Sequence, residues 1–283
     1  MKLGIAQFAA AEQWQQNLET CTQYYRRAVD AGVDLLVFPE GVLARFTTHG
    51  ERIRAAAQPL DGPFVGGLRE LTASTPEGPD VVVGIHEPGS DGRVFNTLVV
   101  LRAGEIVTTY RKLHLYDAFA ARESDNVIPS DSDPRIFSCR GVAVGLMTCY
   151  DLRFPELARL LAVRGAELIV LPAAWVKGPL KERHWETLVA ARALENTVYV
   201  AGVGECGPKN IGESMVADPL GMPILRLDEQ PGFGVAEISL DRLRQARREL
   251  PVLANRRFDV DPRPRPIGTE PSPSVDHHNQ EES

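Results

Sequence analysis

Asp30-Ala31-Gly32-Val33-Asp34-Leu35-Leu36-Val37-Phe38-Pro39-Glu40 has a counterpart in Arg164-Gly165-Ala166-Glu167-Leu168-Ile169-Val170-Leu171-Pro172-Ala173. Each passage reads as the end of a helix, a glycine, an acidic residue, an apolar run of strand length and a proline. An uninterrupted apolar run lacks the alternation of a half-exposed strand, so it belongs to a strand covered on both faces. The helix ahead of it makes the unit a crossover. Two copies point to a duplicated β-α-β half. They predict an α/β fold in the form of a four-layer α-β-β-α sandwich, two mixed sheets face to face with helices outside. The same signature would also arise in any two buried αβ units without duplication.

Other runs of strand length lie at 3–8, 81–86, 97–101, 105–110, 142–147, 198–203 and 234–238, beside those at 34–38 and 168–171. Runs 97–101 and 105–110 are separated only by Arg102-Ala103-Gly104, a hairpin connection that makes the sheet mixed. Helices are expected at 14–31, 64–74, 155–164 and 180–196, and Leu157, Leu160 and Leu161 share one face, as packing on a sheet requires. From Pro262 onward, Pro264, Pro266, Pro271 and Pro273 punctuate a stretch whose only aliphatic residues are Ile267 and Val275. Such a segment buries too little surface to offset its ordering entropy. The expected organisation is one domain over 1–261 and a disordered Pro/Ser-rich tail over 262–283.

Of the 283 residues 43% are hydrophobic, and 31 Lys and Arg stand against 38 Asp and Glu, a net charge of −7. A sizeable core follows, and nucleic acid or an anionic membrane surface is excluded as the main partner. The longest apolar stretch, 168–176, falls far short of the roughly 20 residues of a spanning helix. With no apolar leader at the N-terminus, the expected address is cytoplasmic. Cys21, Cys139, Cys149 and Cys206 form no C-x-x-C pair and read as reduced thiols.

Three places carry candidate chemistry. In Gly145-Leu146-Met147-Thr148-Cys149-Tyr150-Asp151-Leu152-Arg153-Phe154-Pro155-Glu156, a buried strand ends just before Cys149 and Pro155 starts a helix. A thiol in so sharp a connection projects at the end of the sheet, where helix N-terminal amides favour the thiolate; the residue is a nucleophile or a small buried hydrophobe. Glu40 directly follows a buried strand and a proline. Apolar neighbours there would raise its pKa and let it exchange protons near neutrality; otherwise it is a capping or surface carboxylate. Lys112, in Thr109-Tyr110-Arg111-Lys112-Leu113-His114-Leu115-Tyr116-Asp117, leaves the hairpin either to polarise a carbonyl or to meet solvent. His114 has no second His or Cys at ligand spacing, so it reads as structural, with no metal and no cofactor expected.

Together, Phe38-Pro39-Glu40, Tyr110-Arg111-Lys112-Leu113-His114-Leu115 and Met147-Thr148-Cys149-Tyr150-Asp151 resemble the Glu, Lys and Cys motifs, in that chain order, of the nitrilase superfamily of carbon-nitrogen hydrolases. The resemblance covers residues 3 to about 258, and Glu123 matches the family's additional acidic residue. Downstream, Leu171-Pro172-Ala173-Ala174-Trp175-Val176-Lys177-Gly178-Pro179-Leu180-Lys181-Glu182, Gly204-Glu205-Cys206-Gly207-Pro208 and Leu250-Pro251-Val252-Leu253-Ala254-Asn255-Arg256-Arg257 are similar to its bacterial deaminated-glutathione amidase branch.

That branch implies hydrolysis of the amide joining a 2-oxoglutarate-like acyl group to cysteinylglycine; an omega-amidase acting on 2-oxoglutaramate would use the same core. The resemblance implies that Cys149 attacks, Glu40 moves the protons, Lys112 and the Tyr150 backbone N–H stabilise the oxyanion, and Glu123 orients Lys112. It also implies a homodimer or larger assembly, expected through Phe154, Leu157 and Leu161. An inert binding protein on the same scaffold would have no chemical reason to keep all four residues. A papain-like enzyme would need a His paired to the thiol. The substrates are anionic while the chain is net negative, so Arg153, Lys177 and Lys181 are the candidate carboxylate ligands. The alternative for Arg153 is an ion pair with Glu156 or Asp151. The segment 46–50 lies outside the recognised motifs and is expected to border the pocket.

Overall fold

The strands β1 (Lys2–Gln7), β2 (Leu35–Val37) and β3 (Asp80–Pro88) lie parallel at the centre of a six-stranded sheet in the computed structural model. β4 (Val94–Arg102) and β5 (Glu105–Arg111) continue it antiparallel beyond β3, and β12 (Gly232–Glu237) closes the other edge against β1. A second six-stranded sheet repeats the plan: β7 (Val142–Leu146), β8 (Leu168–Ala173) and β9 (Tyr199–Gly204) are parallel. β10 (Met215–Ala217) and β11 (Pro223–Arg226) extend it beyond β9, and β6 (Ile136–Cys139) is antiparallel to β7. The helices repeat as well. α1 (Trp14–Asp30) connects β1 to β2 as α4 (Pro155–Val163) connects β7 to β8. α2 (Gly50–Ala56) and α3 (Pro63–Ala73) lie between β2 and β3 as α5 (Lys181–Asn196) lies between β8 and β9; α6 (Leu240–Glu249) follows β12. The two look-alike stretches are therefore β2 and β8, equivalent central strands of the two halves.

The structure describes residues 1–45, 50–119 and 121–260. Residues 46–49 and the tail 262–283 lie outside the described residues.

Three apolar layers separate four layers of backbone. Leu3, Ile5, Leu35 and Val37 meet Val144, Leu146, Leu168 and Val170 between the sheets. Tyr25, Ala28, Phe64 and Leu68 pack α1 and α3 on the first sheet, while Leu157, Leu161, Trp185 and Val189 pack α4 and α5 on the second. The apolar face of α4 is thus spent within the chain: Leu157 is 4% and Leu161 0% exposed. This corrects the expectation that Leu157 and Leu161 form a subunit contact. Their spacing marks a buried helix face, and whether a sheet or a partner covers it is not encoded in that spacing.

Candidate active site

Cys149 occupies the turn between β7 and a 3-10 turn, Cys149–Arg153, that leads into α4, with its backbone in the left-handed region at φ 45°. The turn is held from below by Asp151, which is fully buried. Its carboxylate accepts from the Thr148 amide (2.8 Å), the Tyr110 hydroxyl (2.7 Å) and the His114 amide (3.1 Å), and it meets His114 Nδ1 at 2.7 Å. Tyr110 lies on β5 and His114 two residues beyond Lys112, so one carboxylate ties the cysteine segment of the second sheet to the lysine segment of the first. His114, stacked on Phe154 at 3.7 Å, is a brace. The Tyr150 amide is a first-turn donor, a position no intrahelical carbonyl satisfies.

Glu40 follows β2 and turns toward the cysteine from the other sheet. Gly84 on β3 permits this, since a Cβ there would lie 2.6 Å from the Gly41 nitrogen. Glu40 Oε1 accepts from Asn96 Nδ2 (2.7 Å) and Lys112 Nζ (3.1 Å), and Oε2 from the Ala174 amide at the end of β8 (2.8 Å). Cys149 lines the same cavity, close enough for the Glu40 charge to act on its thiol. Lys112 Nζ also meets both oxygens of Glu123, at 3.0 and 2.8 Å, and the Tyr116 amide fixes Glu123 Oε2 at 2.6 Å. Lys112 is 2%, Glu40 4% and Cys149 8% exposed.

Burial alone would raise the Glu40 carboxyl, but Lys112 and then Arg45, with the hydrogen bond from Asn96, bring it down to about 2. Burial works against the charge on Lys112, yet Glu123 and Glu40 lift it well above the ordinary lysine value. Burial, and next the charge of Glu40, push the Cys149 thiol well up, with Lys112 partly opposing. The resting centre is carboxylate, ammonium and thiol. This corrects the expectation of a Glu40 with raised pKa, because an ammonium beside the acid outweighs its apolar neighbours; at the sulfur, burial and the Glu40 anion outweigh whatever the helix amides contribute.

These groups line a cavity of about 570 Å³ together with Tyr150, Arg153, Trp175 and Lys181. Arg153 forms no ion pair among the described residues; its guanidinium lies 4.7 Å from the centre of the Trp175 ring, and Nη2 is 3.5 Å from His184 Nδ1. The pairing of Arg153 with Asp151 or Glu156 is therefore not formed. Lys181, 5% exposed, donates to the Tyr116 hydroxyl at 3.0 Å. Lys177 is exposed and does not line the cavity; a bridge between Val176 and Asn210 holds the backbone ahead of it. Asn96, Arg45, His86, Tyr116 and Trp175 line the site without having been singled out from sequence. Asn96 had a usable signal, a lone amide inside the apolar run of β4.

His86, 6% exposed, is lowered from 6.5 to about 4 by burial and then by Arg45. Between those values the unfolded chain binds a proton that the folded chain refuses, so stability present above pH 6.5 is lost as pH falls toward 4. Urea unfolding at pH 7 and 4.5 is expected to show a loss from this group of about 2 kcal/mol, absent in His86→Gln. An undiminished acid loss in His86→Gln would contradict it.

The family model for carbon-nitrogen hydrolases matches residues 2–248. A deaminated glutathione amidase of Escherichia coli O157:H7 is 48% identical over 258 residues, 91% of this chain and 98% of that protein. Among solved structures, a CN-hydrolase superfamily protein from Xanthomonas campestris superposes with TM-score 0.82 at 24% identity, over 92% of this chain and 98% of its own. An amidase from Nesterenkonia sp. AN1 in complex with butyramide gives 0.72 at 27% identity, over 88% and 95%. With its fold, its matched length and its 48% identical relative in agreement, this chain belongs to the carbon-nitrogen hydrolase family.

Proposed function

We propose that this protein is a thiol amidase that hydrolyses deaminated glutathione to 2-oxoglutarate and cysteinylglycine through a thioester on Cys149. The observation that carries the chemistry is the convergence of buried Cys149, Glu40 and Lys112 on one cavity, with Lys112 Nζ 3.1 Å from Glu40; the substrate rests on the bacterial relative and on the cations facing the cavity. Glu40 takes the thiol proton as sulfur attacks the amide carbon, so a thiol that is weakly acidic at rest ionises only as the C–S bond forms. Lys112 and the Tyr150 amide stabilise the oxyanion. Glu40 passes its proton to the leaving amine, the C–N bond breaks, and Glu40 then deprotonates the water that opens the thioester. Glu123 holds Lys112 in place.

Arg153 and Lys181 are proposed to bind the substrate carboxylate, with Trp175 between them as a platform. A charge-assisted pair of this kind is worth enough that Arg153→Met should lower kcat/KM on a carboxylate-bearing amide roughly 10- to 100-fold more than on butyramide. Equal losses on both would assign Arg153 to holding the turn. The function itself is tested by steady-state kinetics on deaminated glutathione, 2-oxoglutaramate and a simple nitrile side by side. Highest kcat/KM on deaminated glutathione is expected; preference for either of the others overturns the assignment.

Among the described residues no helix is long and apolar enough to cross a membrane. A reducing, cytoplasmic setting is proposed because the reaction needs a free thiol. Pairing as a homodimer or larger assembly is proposed as well, supported by exposed Val163 on α4 and Leu194 on α5.

A further inference from the structure

One wall of the cavity supplies no group that reacts in the chemistry above. It is built from His86 on β3, Arg45 after β2, Ile53 on α2, and Arg122 and Asn126 in the segment that follows β5. His86 stands on β3 directly opposite Asn96 of β4, the residue whose amide holds Glu40. Its ring packs on the residue after Glu40: a Cβ on Gly41 would come within 3.1 Å of His86 Cε1 and 2.9 Å of Arg45 Nη2, and Gly41 adopts φ +63°. Glycine there lets the imidazole and the guanidinium close up against the turn that carries the acid.

His86 is buried as a residue but lines the cavity; no side-chain hydrogen bond is formed by its ring among the described residues, and its ring nitrogens are not among the enclosed polar atoms, so they remain open to a ligand. A ring nitrogen that opens on a cavity without a protein partner is free to bond a group that arrives with a ligand. The neighbouring cation is already engaged, since Arg45 Nε meets Glu205 at 2.7 Å and Nη2 donates to the Glu40 carbonyl at 2.6 Å. Burial and Arg45 keep the imidazole neutral, with one N–H donor and one ring-nitrogen acceptor. Such a group suits a neutral partner that also has one of each, as a peptide group does, better than an anion.

The direction of the reaction says which part of the substrate meets this wall. Glu40 gives its proton to the leaving nitrogen, so that nitrogen faces Glu40 and its substituent runs on past Gly41 toward His86. That orientation leaves the acyl end to Arg153, Trp175 and Lys181, which the second half of the chain contributes from the turn after β7, the segment after β8 and α5. We propose that His86 reads the peptide group of the leaving amine and thereby selects amides of a dipeptide over primary amides. This rests on the function proposed above and adds a specificity-determining residue to it.

The test uses two substrates with one acyl group, deaminated glutathione and 2-oxoglutaramate. The selectivity ratio, kcat/KM on the first over kcat/KM on the second, is expected to fall at least about tenfold in His86→Leu and to stay within about threefold of wild type in His86→Gln, which keeps a donor and an acceptor at similar reach. Should the leucine variant not fold, His86→Asn, polar but too short, is expected to show the same fall. Equal losses on both substrates, with the wild type active on both, overturn the role of His86 and leave the function standing. A wild type that hydrolyses 2-oxoglutaramate but not deaminated glutathione overturns the function and this inference together.

Discussion

Cys149→Ala is expected to fold and to lose turnover by roughly 10⁴-fold or more, because the covalent route vanishes with the sulfur and no other thiol can replace it. Cys21, Cys139 and Cys206 are 0%, 1% and 2% exposed and none lines the cavity. Alanine meets the same left-handed backbone as cysteine and removes one atom at the edge of a cavity, so the cost in stability is about 1 kcal/mol or less. For the same reason iodoacetamide should label Cys149 before the other three. Near wild-type turnover in Cys149→Ala, or preferential labelling elsewhere, would contradict the assignment.

Glu40→Gln should lower kcat about 10³-fold, within the range for a general acid-base group used in both half-reactions. The amide keeps the shape but puts an NH₂ where the carboxylate now accepts from Asn96, Lys112 or Ala174. Lys112 retains Glu123, so the lysine stays charged and the variant is expected to fold, with near-native circular dichroism. A loss of less than tenfold in a folded Glu40→Gln would move the proton transfers to another group.

Much of the molecule was legible because burial writes itself into apolar runs. β2 and β8 announced a repeated half; the end of β2 places Glu40, and the separate apolar run at 142–147 places Cys149. The 136–139, 215–217 and 223–226 strands were missed because they are edge or near-edge elements of three or four residues, too short for a period to show. α6 was missed for the opposite reason: Leu240–Glu249 buries only Leu243 and Ala246 among charged residues, and its clearest marker is the Ser239 cap that accepts from the Arg242 amide at 3.2 Å.

At the site, residue types were readable and their electrostatics were not. Glu40 and Lys112 lie far apart in the chain, and only the folded hairpin brings the ammonium within 3.1 Å of the acid, which reverses the shift that burial alone would produce. Asn96, His86 and Arg45 matter through where they converge, and convergence of three separate elements has no local signature. Asp151 sat in plain view beside the cysteine, yet its role comes from Tyr110 and His114 across the sheet interface.

The central claim is a common acyl-enzyme, and partitioning with hydroxylamine tests it most directly. Deaminated glutathione and 2-oxoglutaramate share an acyl group and differ in the amine expelled, so both must pass through the same thioester on Cys149. At a fixed hydroxylamine concentration, the ratio of hydroxamate to 2-oxoglutarate is predicted to be identical for the two substrates. Ratios that differ with the leaving group would mean that water attacks each amide directly, and the thioester account would be wrong.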